Sequence, residues 1–187
     1  MGLGKSLAAI AAIEYLHSLN YLSPKDEVFW VATKSALISV QLEYLKWGCK
    51  FPIKFFTYEG LKKYTETIDK GTIPPKVIIG DESHKLKHEK TQRTLSFAHV
   101  TRAMRKEHGN NCYILLMTGT PAPKSPLDWY SQCEIVRPGY LKEGTLHAFK
   151  ERLAIIKQKE NSSGAGMYPE LITWRDDSTK CNVCGQN

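Results

Sequence analysis

Apolar and polar residues follow two rhythms along the chain. Short, nearly continuous apolar runs at 28–32 (VFWVA), 53–58 (IKFFTY), 76–80 (KVIIG) and 113–117 (YILLM) read as strands, the third announced by Pro74 and Pro75. Helical patterns separate them. Residues 7–19 are apolar almost all round and predict a buried helix that stops near Asn20. Residues 35–47 predict an amphipathic helix capped by Ser35, and 59–70 a polar surface helix. Residues 91–108 predict a helix whose basic end, Arg102, Arg105 and Lys106, suits a C-terminus. Continuous apolar strands alternating with helices predict an α/β fold, a parallel sheet with helices on both faces. Beyond Thr120 the rhythm changes. A turn rich in proline (Pro121, Pro123, Pro126) precedes expected helices at about 127–135 and 145–156, and 161–166 (NSSGAG) has the composition of a flexible linker. Residues 167–187 carry too few apolar side chains to fold alone, so the expected division is a lobe at 1–156 and a tail at 157–187.

Length and composition narrow the classes. At 187 residues the chain suits one sizeable domain plus a tail. Its 26 Lys and Arg against 19 Asp and Glu leave a formal charge of +7, which favours polyanionic partners such as nucleic acid. No apolar run approaches the roughly 20 residues that cross a bilayer, so no membrane role is expected. The apolar run at 7–13 is followed by Glu14 and His17 with no cleavage pattern, which argues against secretion. Cys49, Cys112 and Cys133 are scattered, and only Cys181 and Cys184 form a spaced unit. A reducing compartment fits, cytoplasmic or nucleoid-associated, or nuclear in a eukaryote.

In a parallel sheet, ligands sit beyond the carboxyl ends of the strands. After the third strand stand Asp81, Glu82, Ser83 and His84. A strand-end aspartate is placed to hold Mg²⁺ and its neighbour to polarise a water, although an isolated acidic turn is more often just solvated. After the fourth strand stand Thr118, Gly119, Thr120 and Pro121, a tight hydroxyl-bearing turn. After the first stand Thr33, Lys34 and Ser35, at a helix N-terminus that favours phosphate.

The opening MGLGKS admits two readings. It is either an acceptor for N-myristoylation or the second half of a phosphate-binding loop, Gly4-Lys5-Ser6 directly before a buried helix. Four weak fragments in order, each at a strand end of one sheet, favour the loop.

With these segments in place the chain resembles the Swi/Snf-type helicase-like ATPases of helicase superfamily two. MGLGKS is similar to their phosphate loop from its methionine onward, and Ser35-Ala36-Leu37-Ile38 to their next motif, with Thr33 where proline is usual. FTYEGL, GDESHKLKH and MTGTPAPKSPLDWY resemble three later motifs, with Ser83 in place of alanine. The resemblance runs from Met1 to about Ile156. It implies the first of two RecA-like lobes that hydrolyse ATP at their interface while tracking along duplex DNA. Gly2, Gly4, Lys5, Ser6, Thr118, Gly119 and Thr120 would then meet the nucleotide, and Ser6 with Asp81 would hold Mg²⁺. Glu82 would activate water with Asp81 beside it, and His84, Thr118 and Thr120 would couple the site to DNA. Lys34, Ser35 and Tyr58 would line the DNA path. Lys85 and Lys87 join Lys34 as point charges suited to backbone phosphates without sequence preference.

The strand that feeds the loop, expected inside the sheet, and the second lobe are missing from the pattern. The resemblance therefore implies an internal fragment, inactive by itself, with a slot between two unpaired strands. Cys181 and Cys184 form half of a Cys-x-x-Cys zinc ribbon or else a pair of free thiols. His147 is a remote third ligand. Two other functions stay open: an RNA helicase lobe of the DExH kind, and a nucleotide- or DNA-binding module without turnover. The bland reading is a basic α/β domain whose motifs are only loops.

Overall fold

The four apolar runs form one parallel sheet. Its strands are β1 (Val28–Ala32), β2 (Ile53–Thr57), β3 (Val77–Asp81) and β4 (Tyr113–Met117), in the order β2-β1-β3-β4. The structure is a computed structural model that describes residues 4–160 and 167–175. Every residue of β1 and β3 is buried, as expected of central strands covered on both faces. Successive side chains alternate between two cores. Val28, Trp30, Ala32, Val77 and Ile79 meet Ala9, Ile10 and Ile13 of α1 (Lys5–Ser18) and Val40 of α2 (Lys34–Trp47). Phe29, Val31 and Ile78 meet the other face, built by Leu61 of α3 (Leu61–Ile68), Phe97, Val100 and Met104 of α4 (Gln92–His108) and Ile135 of α5 (Asp128–Val136). The α/β fold is therefore observed as expected.

Several local expectations change. The strands pair contiguously, so no slot separates two of them. Among the described residues the sheet ends instead at two outer strands, β2 and β4, neither of them fully buried, and on β4 Leu115 is exposed while the inner strands are buried. Helix α1 is less buried than its composition suggests, because Leu7 and Tyr15 face outward. The N-cap of α2 is Thr33 and not Ser35, and its backbone carbonyl takes the amide of Leu37 at 3.0 Å. The α1–α2 layer is fixed by Glu14, whose Oε1 accepts from the amides of Lys50 (2.7 Å) and Phe51 (3.1 Å) and from the Cys49 thiol (3.0 Å). The thiol bond, followed by those amides, outweighs burial and holds the Glu14 carboxyl below its ordinary range. Burial, with the carboxylate beside it, pushes the Cys49 thiol up to about 12, so it stays protonated and unreactive.

The chain divides into two compact units, Met1–Tyr140 and Leu141–Asn187. In the second, the helix expected at 145–156 is shorter. Helix α6 (Leu146–Leu153) gives way to β5 (Ala154–Glu160), which pairs antiparallel with β6 (Met167–Trp174). The β-branched pair Ile155–Ile156 favours a pleat over a helix, and a register irregularity falls between those two residues. Residues 167–174, expected to be unable to fold alone, find their partner in β5.

Candidate active site

Four chain segments bring their polar residues to the carboxyl ends of the strands. Gly4 opens α1 in the left-handed conformation (φ 72°), which favours glycine. The first turn of α1 has no side-chain cap, so its amides and dipole are left facing outward for an anion. Lys5 and Ser6 follow at once. The Lys5 ammonium lies 3.8 Å from where a β-carbon on Gly119 would stand, which puts the lysine against the turn after β4.

Strand β3 delivers the carboxylates. Gly80 is required by close approach, since a β-carbon there would sit 2.8 Å from Leu116 Cδ2 and 3.1 Å from Phe97 Cζ. Asp81 follows, 7% exposed, with Oδ1 accepting the Glu82 amide at 2.9 Å. Burial raises the Asp81 carboxyl above its ordinary range, and the neighbouring Glu82 charge adds to this while the Glu82 amide and Lys5 oppose it. A buried carboxylate whose charge Lys5 only partly offsets, on one cavity with the Ser6 hydroxyl, suits a hard divalent cation. Glu82 itself adopts a left-handed backbone (φ 54°, ψ 47°), an uncommon conformation for a residue with a side chain. A 3₁₀ turn, Ser83–Leu86, follows.

His84 links the acidic turn to the loop after β4. Its Nδ1 lies 3.1 Å from Thr118 Oγ1 and 3.2 Å from Glu82 Oε2, and Thr118 Oγ1 in turn accepts the Thr120 amide at 3.2 Å. Lys5, Ser6, Asp81, Glu82, His84 and Thr120 line one cavity of about 900 Å³. Ser35 and Lys85 reach the same cavity, and Lys34 is exposed at the start of α2. Sequence reading had missed Ser39 and Glu43, which also line it. Their signal was present as polar residues at four-residue spacing, 35, 39 and 43, on one face of α2.

Two candidate DNA contacts require correction. Tyr58 is 1% exposed, and its hydroxyl donates to the Asp81 carbonyl at 2.7 Å. Burial pushes that hydroxyl strongly upward, with the Asp81 and Glu82 charges adding to the effect. The ring belongs to the core beneath the carboxylates and offers no surface to a DNA backbone. Lys87 is engaged as well: its ammonium lies 3.4 Å from Asp128 Oδ2, with only 13% of the side chain exposed. Gly2, Cys181 and Cys184 lie outside the described residues. Among the described residues no cluster of three or more His, Cys, Asp or Glu could hold a metal, and His147 pairs on the surface with Glu151 at 3.5 Å. Among those residues, too, no helix is long and apolar enough to cross a membrane.

A family model described as the SNF2-related domain matches residues 40–172. The chain belongs to the SNF2-related family. The match begins after Gly4-Lys5-Ser6, so the cavity's geometry is what joins that segment to the rest. Among curated proteins, the chain is 33% identical over 108 residues to the bovine SWI/SNF-related matrix-associated actin-dependent regulator of chromatin subfamily A-like protein 1, an alignment that covers 56% of this chain. The Xenopus laevis protein of the same name is 35% identical over 106 residues, or 55% of this chain. The matched part spans about a tenth of each relative's length (10%). Among solved structures, the Sulfolobus solfataricus SWI2/SNF2 ATPase core in complex with dsDNA is similar in fold, with a TM-score of 0.64 at 22% identity over 82% of this chain and 33% of that one.

Proposed function

We propose that this SNF2-related chain is the first RecA-like lobe of an ATP-dependent motor acting on duplex DNA, binding Mg²⁺ and ATP and hydrolysing the nucleotide in company with a second RecA-like lobe. The observation that carries this reading is the convergence of Lys5, Ser6, Asp81, Glu82 and Thr120 on one cavity at the strand ends. Bound Mg²⁺ and ATP supply the transferable phosphoryl group and the neutralisation of its charge. Gly4 and the uncapped first turn of α1 receive the phosphates, and Lys5 adds a positive charge beside Gly119. Ser6 and Asp81, on one cavity, would hold the metal. Glu82 orients the attacking water and takes its proton. His84, touching both Glu82 and Thr118, ties the carboxylate to the Thr118-Gly119-Thr120 turn, so that a movement of either reaches the other.

Ser35 and Lys85 line the cavity and Lys34 is exposed beside Ser35 at the start of α2, and all three are suited to backbone phosphates. Duplex DNA is preferred to RNA as the track because the relatives are named as regulators of chromatin and the solved neighbour carries dsDNA. A nuclear location follows if the host is eukaryotic. The test is titration of the chain with a fluorescent, non-hydrolysable ATP analogue with and without Mg²⁺. Binding should require Mg²⁺ and weaken at least about tenfold in Lys5→Ala, the loss of one charge-assisted contact. Equal binding by wild type and Lys5→Ala would remove Lys5 from the site and the reading with it.

A further inference from the structure

The acidic turn and helix α5 are joined by two polar pairs that the catalytic reading does not use. Ser83, 1% exposed, donates from Oγ to Gln132 Oε1 at 2.8 Å. Four residues further along, Lys87 meets Asp128 Oδ2 at 3.4 Å, and Asp128 is 7% exposed. Residues 83 and 87 thus face residues 132 and 128 as two rungs in opposite chain directions, the first buried and the second part-buried. Gln132, 4% exposed, is fully used: its Nε2 donates to the Pro121 carbonyl at 2.8 Å and to the Asp128 carbonyl at 2.9 Å. Asp128 Oδ2 also accepts the Lys124 amide at 3.0 Å. One face of α5 therefore grips both the segment that follows Glu82 and the segment that follows Thr120.

We infer that Gln132, with Ser83 and Asp128, is a positioning residue: α5 acts as a clamp that holds the strained Glu82 turn in register with the Thr118–Pro121 turn. A left-handed glutamate persists only when its surroundings over-determine it. The amide of Glu82 is held by Asp81, the side chain of the next residue by Gln132, and the residue after that by Thr118. Neither Gln132 nor Asp128 lines the nucleotide cavity, so loosening the clamp should leave nucleotide binding intact and misplace Glu82. A buried polar bridge is also sensitive to half-removal, because one deleted partner orphans the other. The inference rests on the hydrolytic reading for its kinetic readout and on none of it for its structural readout.

The experiment compares wild type with Gln132→Met, Ser83→Ala and the double variant, in the chain joined to a second RecA-like lobe. Gln132→Met should lower kcat at least about tenfold at an unchanged KM for ATP, the signature of a mispositioned group. The double variant no longer orphans Ser83 and should recover part of the thermal stability lost in Gln132→Met. Its kcat should stay low. A kcat that returns together with stability in the double variant, or one unchanged in Gln132→Met, would overturn the positioning role. Backbone hydrogen exchange on the same proteins decides the matter even if the wild type shows no turnover, an outcome that would count against the hydrolytic reading alone. Faster exchange confined to residues 82–86 and 118–120 in Gln132→Met supports the clamp; exchange identical to wild type in both segments refutes it.

Discussion

Replacing Tyr58 by Phe removes one oxygen and tests how the floor of the site is built. The hydroxyl is buried and donates to the Asp81 carbonyl at 2.7 Å, while the ring packs near Phe97 with centroids 6.2 Å apart. Phe keeps the ring and deletes only the donor. A buried carbonyl deprived of its donor costs about 1–2 kcal/mol. For a compact unit of 140 residues, each kcal/mol is worth roughly 3–5 °C in Tm, between the values for smaller and larger domains. Tyr58→Phe should therefore melt roughly 3–10 °C below wild type. Because the lost bond anchors the backbone of Asp81 itself, Mg²⁺-dependent binding of the ATP analogue should weaken in parallel. Duplex DNA affinity and its salt dependence should not change, since the ring is buried. The assays are a thermal melt and a DNA titration at several salt concentrations. Unchanged Tm together with weaker duplex DNA binding at an unchanged salt slope would refute the buried-anchor argument and restore Tyr58, as a neutral contact, to the DNA path.

The remaining charges give sharper contrasts. The double variant Lys34→Ala/Lys85→Ala should lower the log–log salt slope of DNA binding by roughly 2 units, whereas Lys87→Ala, already paired with Asp128, should lower stability and leave the slope nearly unchanged; the same titrations decide both. Asp81→Asn should raise Tm at pH 7 in the absence of nucleotide while weakening Mg²⁺-dependent ATP-analogue binding. The sign follows from burial, which raises the folded Asp81 carboxyl above 3.8. The folded state then binds the proton more readily than the unfolded one, and wild type carries a penalty at all pH values above the folded value. The stability gap to Asp81→Asn should narrow as pH falls through that raised value and towards 3.8. A variant less stable than wild type at pH 7 would contradict it.

Strand and motif positions were legible because the signals are local. Runs such as VFWVA and KVIIG announce central strands by composition alone, and both are buried along their whole length. The residues after them, Lys34 to Ser35 and Asp81 to His84, fall at the strand ends because a parallel sheet leaves them nowhere else to go. What was not legible depends on partners distant in sequence. Tyr58 is an anchor because Asp81, 23 residues on, offers a carbonyl beneath the core. Lys87 is paired because Asp128 lies 41 residues away. Gln132 reaches Ser83 across 49 residues, and a single glutamine in a helix gives no periodic signal of that kind. The antiparallel pairing of β5 with β6 was missed because a helical pattern ran on into Ile155 and Ile156, whose β-branched side chains favour a strand once β6 offers a partner.

The central claim is that the carboxylates after β3 serve ATP turnover driven by duplex DNA. The most direct measurement is phosphate release by the chain joined to a second RecA-like lobe, alone, with duplex DNA and with single-stranded RNA, for wild type and Glu82→Gln. Duplex DNA should stimulate the wild type well above both other conditions. Glu82→Gln should bind the ATP analogue as wild type does and release no phosphate above background, because the change removes the carboxylate proposed as the base and leaves Lys5, Ser6 and Asp81, proposed to bind nucleotide and metal, in place. Turnover by Glu82→Gln equal to wild type, or stimulation by RNA in preference to duplex DNA, would contradict the account.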